Sequence, residues 1–327
     1  MYESFYGLSA KPFQLRPDPH FFFGSKGHKR AMAYLEYGLS QGEGFIVITG
    51  EIGAGKTTLV RNLFCQLEPE KFVAAQIVNT RLNSEDSLRS VVAAFGLPYE
   101  DASKTTLLNR LEQFLKQCDL QGKRALLVVD EAQNLSHQTV EELRMLSNFQ
   151  TADKSLLQTF LLGQPEFRQT LLSSDMQQLH QRVIATYHLG PMDAAETRAY
   201  VEHRLHTVGW QGDPALTDGA FMAIHEYSGG IPRKINTLCD RLFLMGYLEE
   251  LHAFDTAEVA EVIRDIRMEF ALPHTAHVPT IPNVAVPAVQ EDVPSSLESM
   301  DERLSRMERS VVSVLDLLKK LISSPKN

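Results

Sequence analysis

The sequence has few cysteines and no long apolar run. Its three cysteines, Cys65, Cys118 and Cys239, are far apart and form no CxxC pair. A disulfide framework is therefore excluded, and the odd count is typical of a reducing compartment. No run approaches the ~18 apolar residues of a membrane-spanning helix, and the first residues lack the basic and apolar regions of a signal peptide. We therefore expect a cytoplasmic protein that reaches a membrane only through a partner or a surface helix.

An excess of positive charge is also absent. The chain has 327 residues, with 32 Lys plus Arg against 41 Asp plus Glu, which gives a net charge of −9. This balance argues against a protein that coats nucleic acid, because such binding requires a positive field. The hydrophobic fraction of 43% and charged fraction of 22% are ordinary globular values, which exclude collagen-like and wholly disordered chains. At roughly 150 residues per domain, the length indicates about two domains.

Residues 1–190 predict a mainly parallel sheet covered by helices. Residues 1–43 are predicted as an N-terminal segment, rich in proline and phenylalanine, followed by a helix. In residues 44–190, apolar runs of strand length alternate with stretches of helical periodicity. The strands are predicted at 45–49, 72–78, 125–129, 159–162 and 184–189, and the helices at 57–67, 84–95, 107–118 and 140–146. Such alternation is typical of βαβ units and an α/β fold.

Residues 191–322 predict three further regions. Residues 191–270 contain helical patterns only, and we expect an all-helical second domain there. Residues 271–296 carry five prolines and are predicted to form a semi-rigid linker. In residues 297–322 apolar residues alternate at spacings of three and four, which predicts a coiled-coil helix that binds a second copy or a partner.

The strongest motif lies directly after the first predicted strand and opens a helix. The sequence Gly-Glu-Ile-Gly-Ala-Gly-Lys-Thr fits GxxxxGK[ST], the pattern of a loop whose backbone N–H groups surround phosphates. Lys56 would place a charge on the β- and γ-phosphates of ATP, and the Thr57 hydroxyl would ligate Mg²⁺. The predicted nucleotide-binding residues are Gly50, Glu51, Ile52, Gly53, Ala54, Gly55, Lys56, Thr57 and Thr58.

Two carboxylates follow the apolar run 125–129. Because parallel strands present their carboxyl ends to the ligand, we expect Asp130 to hold Mg²⁺ and Glu131 to deprotonate the attacking water. Both roles are expected to require that this strand lies next to the strand that ends at Gly50. Asp130 and Thr57 are thus the predicted metal ligands.

A complete phosphoryl-transfer site needs further hydrogen-bond donors. Gln164 ends a predicted strand, where its neutral amide would orient the water. Arg182 lies just before the last predicted strand. Arg233 follows a Gly-Gly turn and a proline at a helix start, where it would bring the helical domain to the γ-phosphate. Glu131, Gln164, Arg182 and Arg233 are the predicted catalytic residues.

Together these segments resemble the AAA+ ATPases of the ExeA-like secretion group. Within that group they resemble most the ATPase found at exosortase (PEP-CTERM) and exopolysaccharide loci. The resemblance covers residues 1–270, and the residues that carry it are Tyr6-Gly7-Leu8, Lys11-Pro12-Phe13, Pro17-Asp18-Pro19, Phe21-Phe22-Phe23, residues 50–57, Asp130-Glu131-Ala132-Gln133, residues 143–148, Gly163-Gln164-Pro165-Glu166, Gln181-Arg182 and Gly230-Ile231-Pro232-Arg233.

The resemblance implies a P-loop AAA+ fold with strand order 5-1-4-3-2 and a helical lid. It also implies that ATP is hydrolysed at the subunit boundaries of a homo-oligomer. Gln164 matches the first sensor position and Arg233 the second. Arg182 is similar to an arginine finger, which acts on the ATP of a neighbouring subunit.

The function expected from the sequence is Mg²⁺-dependent ATP hydrolysis. The leading interpretation is an oligomeric motor or switch for envelope secretion, protein sorting or exopolysaccharide assembly, with partners bound through the C-terminal helix. A DNA-directed ATPase of the transposition-regulator type is one alternative, although no strong nucleic-acid signal is found. A slow, nucleotide-gated scaffold is the other.

Overall fold

The computed structural model describes residues 1–78, 84–173 and 176–270, and a five-stranded parallel sheet lies at its centre. The strands are β1 Phe45–Gly50, β2 Phe72–Ile77, β3 Arg124–Val129, β4 Leu157–Gly163 and β5 Val183–Leu189. Their order is β2-β3-β4-β1-β5, and every neighbouring pair is parallel. The predicted α/β fold and the order 5-1-4-3-2 are thus confirmed.

Helices connect and cover these strands. They are α1 Tyr2–Phe5, α2 Lys26–Gln41, α3 Lys56–Gln66, α4 Ser84–Ala94, α5 Lys104–Leu120, α6 His137–Leu146, α7 Pro165–Leu171, α8 Gln177–His180, α9 Ala194–Thr207, α10 Asp218–Ser228, α11 Pro232–Leu248 and α12 Thr256–Phe270. Serine N-caps begin several of them: Ser25, Ser103 and Ser136 each accept a hydrogen bond from a backbone N–H in the first turn. These caps explain why α2, α5 and α6 begin where they do.

The two faces of the sheet bury separate apolar clusters. On β1, Phe45 and Val47 point to one face, where α4, α5, α6 and α7 pack. Ile46 and Ile48 point to the other face, against α2 and α3. Every residue of β1 is buried, as expected for a central strand of a sheet covered on both sides. The sheet therefore holds the loop that follows β1 on a rigid base.

Residues 191–270, which we call the helical region, have their own core. It is built from α9, α10, α11 and α12 around buried residues such as Val201, Leu238 and Phe254. Between the helices, β6 Ala215–Leu216 and β7 Ala253–Phe254 form a short parallel pair. The sequence predicted helices only, because two-residue strands leave no periodic signal.

The N-terminal segment packs into the core of the helical region. Tyr6, Phe13 and Phe21 are buried in the same cluster as Phe243, and Phe13 meets Phe243 edge to face at 5.4 Å between ring centroids. Arg204 of α9 is buried and donates hydrogen bonds to the carbonyls of Pro12 and Gln14. The residues predicted as one unit at 1–43 thus serve two cores, because α2 packs on the sheet instead.

Within the ranges that the structure describes, no helix is long and apolar enough to cross a membrane. The predicted linker at 271–296 and the predicted coiled-coil helix at 297–322 lie outside the described residues.

Candidate active site

The loop after β1 adopts backbone conformations that favour glycine. Gly53 and Gly55 have φ values of 82° and 100°, in the left-handed region that other residues rarely adopt. Both positions are also crowded: a Cβ on Gly53 would lie 2.4 Å from Arg233 Cβ, and one on Gly55 would lie 2.7 Å from His28 Nε2. The glycines therefore let this loop curve while two other elements press against it.

Lys56 is the first residue of α3 and points back into the loop. Its side chain is only 7% exposed, and Nζ donates hydrogen bonds to the carbonyls of Gly50 at 2.6 Å and Glu51 at 3.0 Å. Burial lowers the pKa of Lys56 below its usual value. The carboxylates of Glu131 and Asp130 offset only part of this effect. The ammonium group therefore lies inside the loop, beside both acidic residues.

Asp130 is brought to the start of α3 from the end of β3. It is 2% exposed, and its Oδ2 accepts a hydrogen bond of 2.8 Å from Thr57 Oγ1. Burial raises the pKa of Asp130 above its usual value. The hydrogen bonds from Thr57 and from the Glu131 N–H offset only part of this effect. The two predicted metal ligands are thus in direct contact.

This contact forms although β3 and β1 are not neighbours. The expectation that Asp130 and Glu131 reach the phosphates only if β3 neighbours β1 is wrong, because β4 pairs with both strands and separates them. The contact does not need adjacency, since α3 begins with Lys56 and its first turn reaches across the end of β4.

Glu131 has a backbone conformation that is unusual for a residue with a side chain. Its φ and ψ are 54° and 40°, and such strain in a non-glycine residue is concentrated at functional sites. Gln164, which directly follows β4, lies close enough for its Nε2 to donate to Glu131 Oε2 at 3.4 Å. The predicted base and the predicted water-orienting amide are therefore side by side.

Arg233 belongs to the helical region and contacts the loop after β1. Its backbone N–H donates to the Gly53 carbonyl at 3.2 Å, and it lines the same cavity as Lys56, Thr57 and Glu131. The Gly-Gly turn before α11 is also tightly packed, because a Cβ on Gly230 would lie 2.0 Å from the Met192 carbonyl oxygen.

Arg182 is not part of this constellation. It directly precedes β5, so it lies at the amino-terminal edge of the parallel sheet, whereas the loop after β1 lies at the carboxyl-terminal edge. Its guanidinium group donates to Ser147 Oγ at 2.6 Å and to Asn148 Oδ1 at 2.5 Å. The other predicted site residues thus lie together at the carboxyl-terminal edge of the sheet, and Arg182 lies apart from them at the amino-terminal edge.

The cavity beside the loop has a volume of about 180 Å³. Its other walls come from the N-terminal segment, with Pro17 and Phe22 among the lining residues, and from Tyr200 and Asn236 of the helical region. The lining thus combines apolar and aromatic side chains with a few polar groups, as is typical of a small-molecule site.

Sequence reasoning missed two residues that line the cavity and a third that contacts Glu131. His28 is buried and hydrogen-bonded to Ser25 at 2.7 Å; burial lowers its pKa, and it fills the space beside Gly55. Arg204 lies over the Phe21 ring at 4.6 Å. Gln133 bonds to Glu131. A serine three residues before His28 could have indicated a capped helix start, but no local signal marked the position of Arg204.

The residues present fit a nucleoside triphosphate with Mg²⁺. Mg²⁺ prefers oxygen ligands and is usually bound through one or two carboxylates, phosphates and water. Thr57 and Asp130 supply one hydroxyl and one carboxylate, already 2.8 Å apart. The buried Lys56 ammonium and the curved backbone at Gly53 and Gly55 provide donors of the kind that bind phosphates.

The five-stranded parallel sheet and its helices have the fold of a P-loop AAA+ domain. Residues 39–171 match the family described as AAA domain. The chain is also 42% identical, over 253 residues, to general secretion pathway protein A of Aeromonas hydrophila. That match covers 77% of this chain and 46% of the relative, so the chain spans about half the length of the curated relative.

Solved structures share the fold at low sequence identity. The ORC2 protein of Aeropyrum pernix gives a TM-score of 0.59 at 16% identity, covering 79% of this chain and 72% of that chain. Cdc6p from Pyrobaculum aerophilum gives 0.59 at 16% identity, covering 78% and 74%. At such identities these likenesses show the fold alone.

Proposed function

We propose that this chain binds ATP with Mg²⁺ and hydrolyses it. The observation that carries the proposal is the 2.8 Å contact of Thr57 with Asp130, made beside the buried Lys56 ammonium group. A hydroxyl, a carboxylate and an ammonium in this arrangement are the groups that P-loop ATPases use for Mg²⁺ and phosphates.

Each residue has a role that follows from its position. Lys56 and the loop N–H groups bind the phosphates, and Thr57 and Asp130 would hold Mg²⁺, which neutralises phosphate charge when bound. Glu131 accepts the proton of the attacking water, and Gln164 orients that water. Arg233 binds the phosphates from the helical region and so joins that region to the nucleotide. The aromatic N-terminal segment lines the side of the cavity suited to the adenine ring.

Phosphate release by the purified chain tests this function directly. With ATP and Mg²⁺ the chain should release phosphate, and excess EDTA should stop the reaction while leaving the fold intact by circular dichroism. If no phosphate is released at any protein or Mg²⁺ concentration, the hydrolase function is refuted.

For the biological process, we propose a secretion-related ATPase of the inner-membrane face. The 42% identity to general secretion pathway protein A supports this assignment. The finer proposal is an oligomeric motor or switch for protein sorting or exopolysaccharide assembly, which binds its partners through residues 297–322. The neighbouring genes would test it: exosortase or polysaccharide genes would support it, and transposase genes would oppose it.

Arg182 is proposed to act on the nucleotide of a neighbouring subunit. Arg182→Ala should keep ATP affinity within about threefold and lower turnover at least tenfold, because an arginine supplied in trans stabilises transition-state charge and contributes ~10³-fold or more. Mixing it with Glu131→Gln should restore some turnover, since each variant supplies what the other lacks. Steady-state phosphate release over a series of mixing ratios measures this.

The exposed Arg89 on α4 provides the control for Arg182. Arg89→Ala should leave turnover unchanged, and its mixtures with Glu131→Gln should turn over as mixtures of the unaltered chain with Glu131→Gln do. Absence of rescue by Arg182→Ala at every ratio would assign Arg182 a structural role, through its bonds to Ser147 and Asn148.

A further inference from the structure

Gln133 connects the two groups that are proposed to handle the attacking water. Its Nε2 donates a hydrogen bond to Glu131 Oε2. Its Oε1 accepts a hydrogen bond of 2.9 Å from the backbone N–H of Gln164. One amide side chain thus links the end of β3 to the end of β4.

The backbone around Gln133 holds this amide in place. Residues Ala132–Asn134 form a 3₁₀ turn, and its first residue, Ala132, is fully buried. Glu131 directly precedes the turn as its N-cap and has a left-handed backbone conformation. The side chain of Gln133 therefore reaches Glu131 from within this turn, two residues further along the chain.

The two hydrogen bonds need a side chain that both donates and accepts, as an amide does. Glu131 offers only acceptors when ionised, and the Gln164 N–H offers only a donor. A side chain that serves both must donate through one terminal atom and accept through the other. Glutamate could still accept from Gln164 but could not donate to Glu131, and alanine could do neither.

We propose that Gln133 is a positioning residue for ATP hydrolysis. It holds the Glu131 carboxylate in one orientation relative to the end of β4, so that the base and Gln164 face the same water. The proposal rests on the proposed function, because it acts through Glu131. Efficient proton transfer requires that a general base lies within hydrogen-bond reach of the proton that it accepts.

Two substitutions separate the two hydrogen bonds. Gln133→Ala removes both, and Gln133→Glu keeps the acceptor for the Gln164 N–H while removing the donor to Glu131. Both variants should lower kcat at least tenfold and leave the affinity for a fluorescent ATP analogue within threefold. The matched controls are Gln113→Ala and Gln113→Glu, made at an exposed glutamine of α5, which should change neither quantity.

Amide hydrogen exchange provides a measurement that does not depend on activity. In the nucleotide-free variants, residue-resolved mass spectrometry should detect at least tenfold faster exchange at Gln164 in Gln133→Ala. In Gln133→Glu the rate should stay at the wild-type value, because the acceptor remains. This difference tests the bond to Gln164 separately from the bond to Glu131.

Each remaining outcome overturns the proposal in a distinct way. Wild-type kcat in Gln133→Glu would leave Gln133 with a structural role alone, exerted through Gln164. A weakened ATP affinity in both variants would place Gln133 in nucleotide binding instead. If the unaltered chain releases no phosphate, the proposed function itself fails, and this result is distinguishable because it precedes any substitution.

Discussion

Lys56→Ala should abolish ATP binding. The Lys56 ammonium group is buried within the loop, where it donates to the carbonyls of Gly50 and Glu51. In that position it provides charge-assisted hydrogen bonds to phosphate oxygens, each contributing about 1.5–3 kcal/mol. Loss of two such bonds, about 3–6 kcal/mol, weakens binding by about 10²–10⁴-fold. Equilibrium titration with a fluorescent ATP analogue measures the change.

The control for this substitution is Lys116→Ala. Lys116 is exposed on α5 and pairs with Glu112, a contact worth ~1 kcal/mol or less, so its removal should leave affinity and fold unchanged. A circular dichroism melt should show that Lys56→Ala remains folded. Normal ATP affinity in folded Lys56→Ala would refute the assignment of residues 50–58 as a phosphate-binding loop.

The strands and the loop could be predicted from local sequence. The run at residues 45–49 is apolar at nearly every position because β1 is covered on both faces, and its end at Gly50 is marked by the glycines that follow. Similar signals predicted β3 and the position of Asp130. Each of these features depends on neighbouring residues, so a single stretch of sequence contains the information.

The order of the strands could not be derived from such stretches. An apolar run indicates that a strand is buried but carries no information about which strand it pairs with. Residue reasoning accordingly made the roles of Asp130 and Glu131 depend on their strand lying beside that of Gly50, whereas β4 lies between the two strands. The correct order came from the family resemblance, which includes long-range information.

The contacts made by the N-terminal segment were equally hidden. Arginine is usually exposed at protein surfaces. Arg204 is nevertheless buried and donates a hydrogen bond to the carbonyl of Pro12. The close approach of Arg233 to Gly53 likewise joins residues that are far apart in sequence. Gln133 stood next to two recognised carboxylates, but its role depends on the Gln164 N–H, which only the folded chain brings to it.

Glu131→Gln should bind ATP and fail to hydrolyse it. The substitution preserves the size of the side chain and leaves Oε1 able to accept hydrogen bonds, but it removes the group that takes a proton from water. General-base catalysis contributes about 10²–10⁴-fold, and we expect kcat to fall by at least 10²-fold. Affinity should remain within about threefold, because Lys56, Thr57 and Asp130 are unaltered.

The nucleotide that stays bound to Glu131→Gln separates the base from other roles. After incubation with radiolabelled ATP and removal of free nucleotide, the variant should retain ATP, while the unaltered chain should retain ADP. The exposed Glu36 on α2 provides the matched control, and Glu36→Gln should behave as the unaltered chain. Continued turnover by Glu131→Gln would remove Glu131 as the base. Loss of ATP affinity would instead assign the carboxylate to binding, since a proton acceptor contributes to the chemical step and not to the ground state.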